Sequence, residues 1–313
     1  MDRDLYVEWM VATTPSTILG SVDHATLRSS LSADFDRTMA SRYASGERAA
    51  AFAQRCRVQG AEPDDYRLRE VRVSPDAAVL AGIHFKSMRV DHPFVGVFAQ
   101  TRALSELEVS KASSLLEREF RCFAPKQVSW WSPEQHDLRG APGAVSDMRL
   151  LVGRLSELAL SAPSLPEGLE IERDSDGSSY PAYNEILDEF LAANPQWIDQ
   201  LSRTDANLYV QCANTGSVLQ LKAHGQVVGI AAARLGSVRG IAGWEIVDQI
   251  LGKAVRGRAL APTFQRLLLA TLRIEQSSLV FGTIDARNEP SRRTALSVGR
   301  KDVGGWVFVP AVQ

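Results

Sequence analysis

The most informative pattern of apolar and polar positions lies between residues 244 and 272. Residues 245–251 (EIVDQIL) predict a buried strand, 256–259 (RGRA) a basic turn containing glycine, and 260–272 a helix with one apolar face. A second strand is predicted over 278–284 (SLVFGTI). A polar stretch, 285–291 (DARNEPS), follows, then a short helix ending at Gly299 and a last strand at 306–309 (WVFV). Upstream, 218–221 (VLQL) and 227–231 (VVGIA) flank Ala223-His224-Gly225-Gln226, whose residues predict a hairpin turn. A helix is predicted from 179 to 190, and Asn194-Pro195-Gln196-Trp197 breaks the chain before another.

The first half repeats this pattern more faintly. Strands are predicted at 71–76, 78–85 and 94–99, then a helix at 106–120 and a strand at 128–131 (VSWW). Gly82 stands in its strand as Gly229 does in the later one. Trp130 and Trp131 have opposite parity, so one is expected in a core and the other against a partner domain or solvent. Pro, Ser and Gly cluster at 161–168 (SAPSLPEG), which places the expected boundary between domains 1–163 and 164–313.

The strand–turn–helix at 245–272 carries chemistry. A helix entered through small residues presents unpaired backbone N–H groups at its positive end, a ready phosphate site. Gly257 and Ala259 let a ligand approach the backbone, and Arg256 and Arg258 add charge suited to a pyrophosphate. With these residues, the later strand, Asn288, the helix after it, Gly299 and the last strand in that order, the chain resembles the GNAT acyltransferases over residues 169–309. The family's Q/R-x-x-G-x-G/A signature falls on Ala254-Val255-Arg256-Gly257-Arg258-Ala259, with Ala254 where the family has Gln or Arg.

The resemblance implies an α/β fold with a mixed, mostly antiparallel sheet flanked by helices, as two GNAT-like domains in tandem. The first would be degenerate, because 100–105 (QTRALS) has no glycine in the phosphate turn; an unrelated α/β domain is the alternative. It also implies acetyl-CoA or another acyl-CoA as co-substrate. Arg256, Gly257, Arg258, Ala259, Leu260 and Ala261 would hold the pyrophosphate, the strand at Gln249 and Leu251 the pantetheine arm and thioester carbonyl, with Asn288 also on the coenzyme. Glu245 is the first candidate base. Asp248 is the second, and strand alternation puts it on the opposite face. The family's acidic Tyr falls on Ala295, and no Tyr follows Tyr209, which leaves Thr294, Ser297 or water to relay a proton. Tyr180, Tyr183, Glu189 and Trp197 are candidate walls of the acceptor cleft. The implied reaction is N-acetylation of a primary amine on a small molecule or amino-acid-like acceptor. A non-catalytic acyl-CoA-binding protein and a tRNA-dependent aminoacyltransferase are the alternatives.

Composition adds bounds. The 313 residues suit two domains, and 45% apolar with 23% charged residues is ordinary for a globular protein. A net charge of −2 gives no electrostatic reason to expect a nucleic-acid partner. Cys56, Cys122 and Cys212 lack metal-ligand spacing and read as reduced, buried thiols. The five histidines sit on separate elements, and no metal site is expected. No apolar run approaches the ~20 residues a membrane helix needs. A cytoplasmic protein is the expectation, with oligomeric state open.

Overall fold

A computed structural model describes residues 1–41, 45–158, 163–198, 201, 203–272 and 279–310. Ser161 and Ala162 of the expected boundary, and Ser278 at the head of an expected strand, lie outside the described residues. The strands are β1 (Arg69–Ser74), β2 (Ala77–Phe85), β3 (Pro93–Gln100), β4 (Gln127–Pro133), β5 (Val145–Arg154), β6 (Leu169–Asp174), β7 (Val218–Ala223), β8 (Gln226–Val238), β9 (Ile241–Leu251), β10 (Leu279–Asp285) and β11 (Lys301–Pro310). The chain packs as two compact units. Unit 1 comprises Met1–Arg149, Val238–Ile241 and Val303–Gln313; unit 2 comprises Leu150–Ser237 and Ala242–Asp302.

In unit 1 the strand order is β1-β2-β3-β4-β11. The first three strands are antiparallel neighbours, and β3 and β4 are parallel, connected through helix Glu106–Glu119. One face of the sheet carries a core of Val79, Val95, Leu116, Phe120 and Trp130. The other is covered by helices Arg3–Val11 and His24–Asp34, which bring Tyr6, Val7, Leu27 and Leu31 against Leu80 and Ala99. These N-terminal helices were not among the expected elements. Both tryptophans are buried, on opposite faces. The Trp130 indole N–H donates to the Ser113 hydroxyl at 3.0 Å and that of Trp131 to the Thr13 carbonyl at 3.0 Å, so neither meets solvent.

Unit 2 repeats the arrangement. Its order is β5-β10-β9-β8-β7-β6, with β5 contributing its end from Leu150. β6, β7 and β8 are antiparallel neighbours, while β9 and β10 are parallel and connected through helix Leu260–Thr271. The β7–β8 hairpin turns at His224 (φ 48) and Gly225 (φ 75), the paired positive φ values of a type I′ turn. Beneath helix Leu260–Thr271 lies a core of Trp244, Phe264, Leu268 and Val280. On the other face, helices Tyr180–Ala193 and Ala206–Asn214 bury Tyr183, Tyr209, Cys212 and Ile230.

The last strand sits differently from expectation. The run at 306–309 is a strand, but β11 pairs antiparallel with β4, Val307 opposite Trp130 and Val309 opposite Val128, inside unit 1. Packing therefore divides the chain at Arg149/Leu150 and returns the C-terminal strand to the first unit, whereas the expected division lay at 163/164. Two glycines permit the close approach: a Cβ on Gly304 (φ +139) would stand 2.6 Å from the Ser132 carbonyl, and one on Gly305 would stand 2.2 Å from that of Met148. Because β11 covers an otherwise open edge of β4 and supplies Val307 and Val309 to the core, a chain ending at Asp302 is expected to lose the packing of unit 1. Its tryptophan emission should shift to the red, and its unfolding should cease to be cooperative in urea.

Candidate active site

The site is built on the parallel pair β9 and β10. Their ladder joins Leu279 to Gly243, Val280 to Trp244 and Phe281 to Glu245, and among the described residues it ends there. Both strands continue, β9 to Leu251 and β10 to Asp285. A strand between two neighbours should be dry, yet every residue of β9 from Glu245 to Leu251 is only half-buried. Beyond that pair the two strands run on without a shared ladder, and we refer to this half-buried stretch of β9 as a slot, with its closed end at Glu245 and Phe281.

Side chains on β9 do not alternate throughout. Trp244 and Ile246 pack in the core under helix Leu260–Thr271, and Leu251 returns to it. Val247 and Ile250 pack in the core under Tyr180–Ala193. Asp248 joins that second face through Tyr183, while Gln249 reaches back to Ala261. Val247 and Asp248 are thus consecutive residues on one face, the signature of a bulge. The expected placement of Glu245 and Asp248 on opposite faces is corrected by this slip: they share one. The Cys212 thiol in that face's core, pushed up to about 11 by burial, feels both Arg234 and Glu245.

The two carboxylates have different surroundings. Glu245 accepts from Arg234 Nε at 2.6 Å, an ion pair open to solvent. Asp248 Oδ2 accepts from the Tyr183 hydroxyl at 2.6 Å and the Thr204 hydroxyl at 3.1 Å, and the Tyr183 oxygen in turn accepts the Thr204 N–H at 3.0 Å. Burial raises the Asp248 carboxyl above its ordinary range, against the pull of those bonds. Burial likewise raises the Tyr183 phenol, and the Asp248 charge adds to it.

Tyr183 is held by the entry to its helix. Asp174 accepts N–H groups of Asp176 at 3.1 Å, Gly177 at 2.7 Å and Ser179 at 2.9 Å, together with the Ser179 hydroxyl. Ser179 Oγ and the Tyr209 hydroxyl lie 2.7 Å apart. Of the expected cleft residues, Tyr183 is fully buried on Asp248 and half-buried Tyr180 donates to the Thr204 carbonyl at 3.0 Å. Trp197 is half-buried and Glu189 is exposed. Thr204 and Asp174 were not expected; the polar run Asp174-Ser175-Asp176-Gly177-Ser178-Ser179 before a helix was the available signal.

At the open end of the slot lies the turn. Val255 and Arg256 N–H groups bond the Gly252 carbonyl, both at 3.1 Å, and Gly257 (φ +75) and Ala259 (φ 54) take left-handed conformations. Helix Leu260–Thr271 then starts with no side-chain cap, leaving its first N–H groups free. A Cβ on Gly257 would meet nothing within 4 Å, so the space over the turn is open. Arg256 donates from Nε to the Leu251 carbonyl at 2.5 Å and lies 4.9 Å over the Phe190 ring, while its Nη2 is buried without a partner. Arg258 is exposed. Gln249 Nε2 donates to the Ala261 carbonyl at 2.7 Å and its Oε1 accepts from Gln265 at 2.6 Å, tying β9 to the turn.

The remaining expected residues serve their own helix. Asn288 caps Glu289–Ser297 by accepting the Ser291 N–H at 3.2 Å. The Ser297 hydroxyl donates to the Thr294 carbonyl at 2.8 Å, that of Thr294 to the Pro290 carbonyl at 3.0 Å, and Ala295 is buried. Among the described residues no cluster of His, Cys, Asp or Glu could hold a metal ion, and no helix is long and apolar enough to cross a membrane.

No family model and no curated protein matches the sequence. Among solved structures the chain is similar to a GCN5-related N-acetyltransferase from Sphaerobacter thermophilus. The two are 15% identical with a TM-score of 0.51, over 88% of this chain and 95% of that one. Similarity at a TM-score of 0.47 extends to a GCN5-related N-acetyltransferase from Kribbella flavida (16% identical, 87% of this chain, 96% of that one). It extends at the same score to a tandem GNAT protein from the clavulanic acid biosynthesis pathway (13% identical, 100% and 96%). The first of these shows the fold: this chain has the fold of the GCN5-related N-acetyltransferases.

The Asp174 and Asp248 carboxyls behave oppositely with pH. Against the desolvation that burial imposes, hydrogen bonds from Ser179, Asp176 and Gly177 hold the Asp174 carboxyl below its ordinary range. Its stabilising contribution is therefore present above the unfolded value near ~3.9 and lost as pH falls through the folded one. Asp174→Asn is expected to lower the unfolding free energy by roughly 1–3 kcal/mol at pH 7, the scale of a broken charged hydrogen-bond set. The deficit should shrink in urea titrations as the pH drops below the ordinary Asp range. Asp248 is raised, so its ionisation works against folding as pH rises, and Asp248→Asn should be neutral or stabilising at pH 7.

Proposed function

We propose that the protein is an acyl-CoA-dependent N-acyltransferase, an N-acetyltransferase in the simplest case, acting on a primary amine of a small molecule or amino-acid-like acceptor. The carrying observation is the half-buried slot along β9, which runs between an uncapped helix N-terminus and a partly desolvated carboxylate. The pyrophosphate of the thioester would lie on the backbone N–H groups from Gly257 to Ala261. Arg256 Nη2, buried and unpartnered, fits such an anion, and exposed Arg258 adds charge. The β9 backbone freed by the early end of the ladder would carry the pantetheine arm past Leu251 and Gln249.

Of the two candidate bases, Asp248 takes the role better than Glu245. A base must hold a proton for part of its cycle, which a raised carboxyl does readily, whereas Glu245 is engaged by Arg234. Asp248 accepts a proton from the ammonium, and the free amine attacks the thioester carbonyl. The C–N bond forms, the attacking nitrogen gives its second proton to water, the C–S bond breaks, and the electron pair leaves on sulfur without a covalent enzyme intermediate. A thiol of pKa near ~8.5 is a tolerable leaving group, so water can return the proton where Ser297 and Thr294 are committed to carbonyls.

The proposed acyltransferase is the second unit, most of the expected domain 164–313 without its last strand, and the first unit, most of 1–163, is its degenerate counterpart. Helix Glu106–Glu119 occupies the corresponding position in unit 1, but its N-terminus is closed by its own side chains. Ser105 and Glu108 form a reciprocal capping box, and Arg102 pairs with both Glu108 and Asp76. A carboxylate already sits where a phosphate would bind. Cys56, Cys122 and Cys212 are free thiols, which suits the cytoplasm.

Titration calorimetry of acetyl-CoA into the wild type and Gly257→Glu tests the donor site. Micromolar binding lost in the variant supports it, since glutamate puts charge where the pyrophosphate should lie; no binding by folded wild type sinks the acetyl-CoA reading. Asp248→Asn is expected to lower kcat by about 10²–10⁴ across an amine panel, the range of a lost general base, with donor affinity retained. Donor binding without turnover on any amine would favour a non-catalytic acyl-CoA-binding protein, a reading that Ala295 at the acid position motivates.

A further inference from the structure

Arg300 follows helix Glu289–Ser297, its N–H bonded to the Ala295 carbonyl at 3.1 Å, and the residue is 2% exposed. Its Nε and Nη2 are buried with no hydrogen-bond partner, and among the described residues no carboxylate pairs with it. A buried guanidinium without a counter-ion is costly, and an apolar side chain of similar size would serve the core better. The side chain calls for an anion that the described residues do not supply.

Its position indicates where that anion comes from. Nη2 and Nη1 lie 3.2 and 3.6 Å from the point where a Cβ on Gly282 would stand, and the Ile246 carbonyl lies 3.4 Å from the same point. Gly282 directly follows Phe281, the last residue of β10 paired with β9, and Ile246 directly follows its partner Glu245. The guanidinium therefore stands at the closed end of the slot. Gly282 shares the parity of Val280, which packs under helix Leu260–Thr271, whereas Asp248 belongs to the opposite face. Arg300 thus serves the donor's side of the sheet and Asp248 the acceptor's. A donor with its phosphates at Gly257–Ala261 and its arm along Leu251 and Gln249 points its acyl group towards Ile246. That residue is five positions beyond Leu251, about 17 Å at ~3.3 Å per strand residue.

We propose that Arg300 binds a carboxylate at the far end of the acyl group, so that the preferred donor is the coenzyme A thioester of a dicarboxylic acid. The assignment rests on the acyl-CoA reading above and specifies its donor. A planar guanidinium can meet a carboxylate with two parallel hydrogen bonds, a geometry that selects it over a methyl group of the same reach. Gly282 contributes by omission, since any side chain there would press on the guanidinium.

The test is titration calorimetry of acetyl-, malonyl-, succinyl- and glutaryl-CoA into wild type and Arg300→Met, with thermal midpoints of both ligand-free proteins. At least one dicarboxylic thioester is expected to bind the wild type tenfold or more tightly than acetyl-CoA. In Arg300→Met that preference should vanish while acetyl-CoA affinity stays within twofold, and the ligand-free midpoint should match or exceed the wild type. Equal affinity of the wild type for acetyl-CoA and all three dicarboxylic thioesters overturns the proposal. So does a preference that survives in Arg300→Met, or a fall in its ligand-free midpoint with loss of acetyl-CoA binding, which would make Arg300 a structural residue. A folded wild type that binds none of the four thioesters removes the acyl-CoA reading itself.

Discussion

The parallel ladder between β9 and β10 stops at Glu245 and Phe281 while both strands run on, and the rest of the site follows from that constraint. A parallel pair normally continues as far as its strands do, because each unmade bond leaves a backbone donor and acceptor to be satisfied elsewhere. Here those groups line a half-buried slot, available to an extended ligand in the way a third strand would be. The bulge at Val247 and Asp248 belongs to the same irregularity. It turns Asp248 onto the face of Tyr183 and Thr204 and returns Gln249 and Leu251 to the face of the phosphate turn. One strand thereby presents a carboxylate to one side and braces the turn from the other.

The contrast between the two crossover helices shows how little separates a binding end from a closed one. Helices Glu106–Glu119 and Leu260–Thr271 each connect a parallel pair of strands and each begin near its end. In the first, Ser105 and Glu108 satisfy the free N–H groups, and Arg102 neutralises the carboxylate that does so. In the second, Gly257 and Ala259 hold positive φ and among the described residues no side-chain cap bonds the helix start. The macrodipole favours an anion at either end; in one unit the anion is part of the chain.

Most strands, the hairpin at His224–Gly225, the crossover helix and the phosphate turn were legible because each is written in local pattern: apolar β-branched runs, paired turn residues, a small-residue entry before an apolar helical face; β5 and β6 carry no such mark and were not expected. What depends on distant chain was not. β11 reads as a strand wherever it pairs, and its partner β4, more than 160 residues earlier, is chosen by the fit of Val307, Val309 and two glycines. The face that Asp248 occupies is not legible in the sequence, because a bulge leaves no reliable mark in seven half-apolar residues. Tyr183 reads from sequence as a wall of the acceptor cleft, but its bond to Asp248, and that carboxylate's hold on Thr204, arise from three separate elements.

Arg300 was invisible for a related reason. In sequence it is one cation between Gly299 and Lys301 at the head of a strand, and a solvated position is the ordinary reading. Its significance comes from burial without a partner, a three-dimensional property. Arg287, close by in sequence, shows the ordinary alternative, with its guanidinium on Asp285 and half its side chain in water. Among the described residues a carboxylate reaches one arginine and none reaches the other, which stands where the slot closes, and this distinguishes a structural ion pair from a vacancy for a ligand's charge. The energetic asymmetry points the same way: a buried pair is close to neutral in stability, while a buried lone charge persists at a cost that a bound anion would remove.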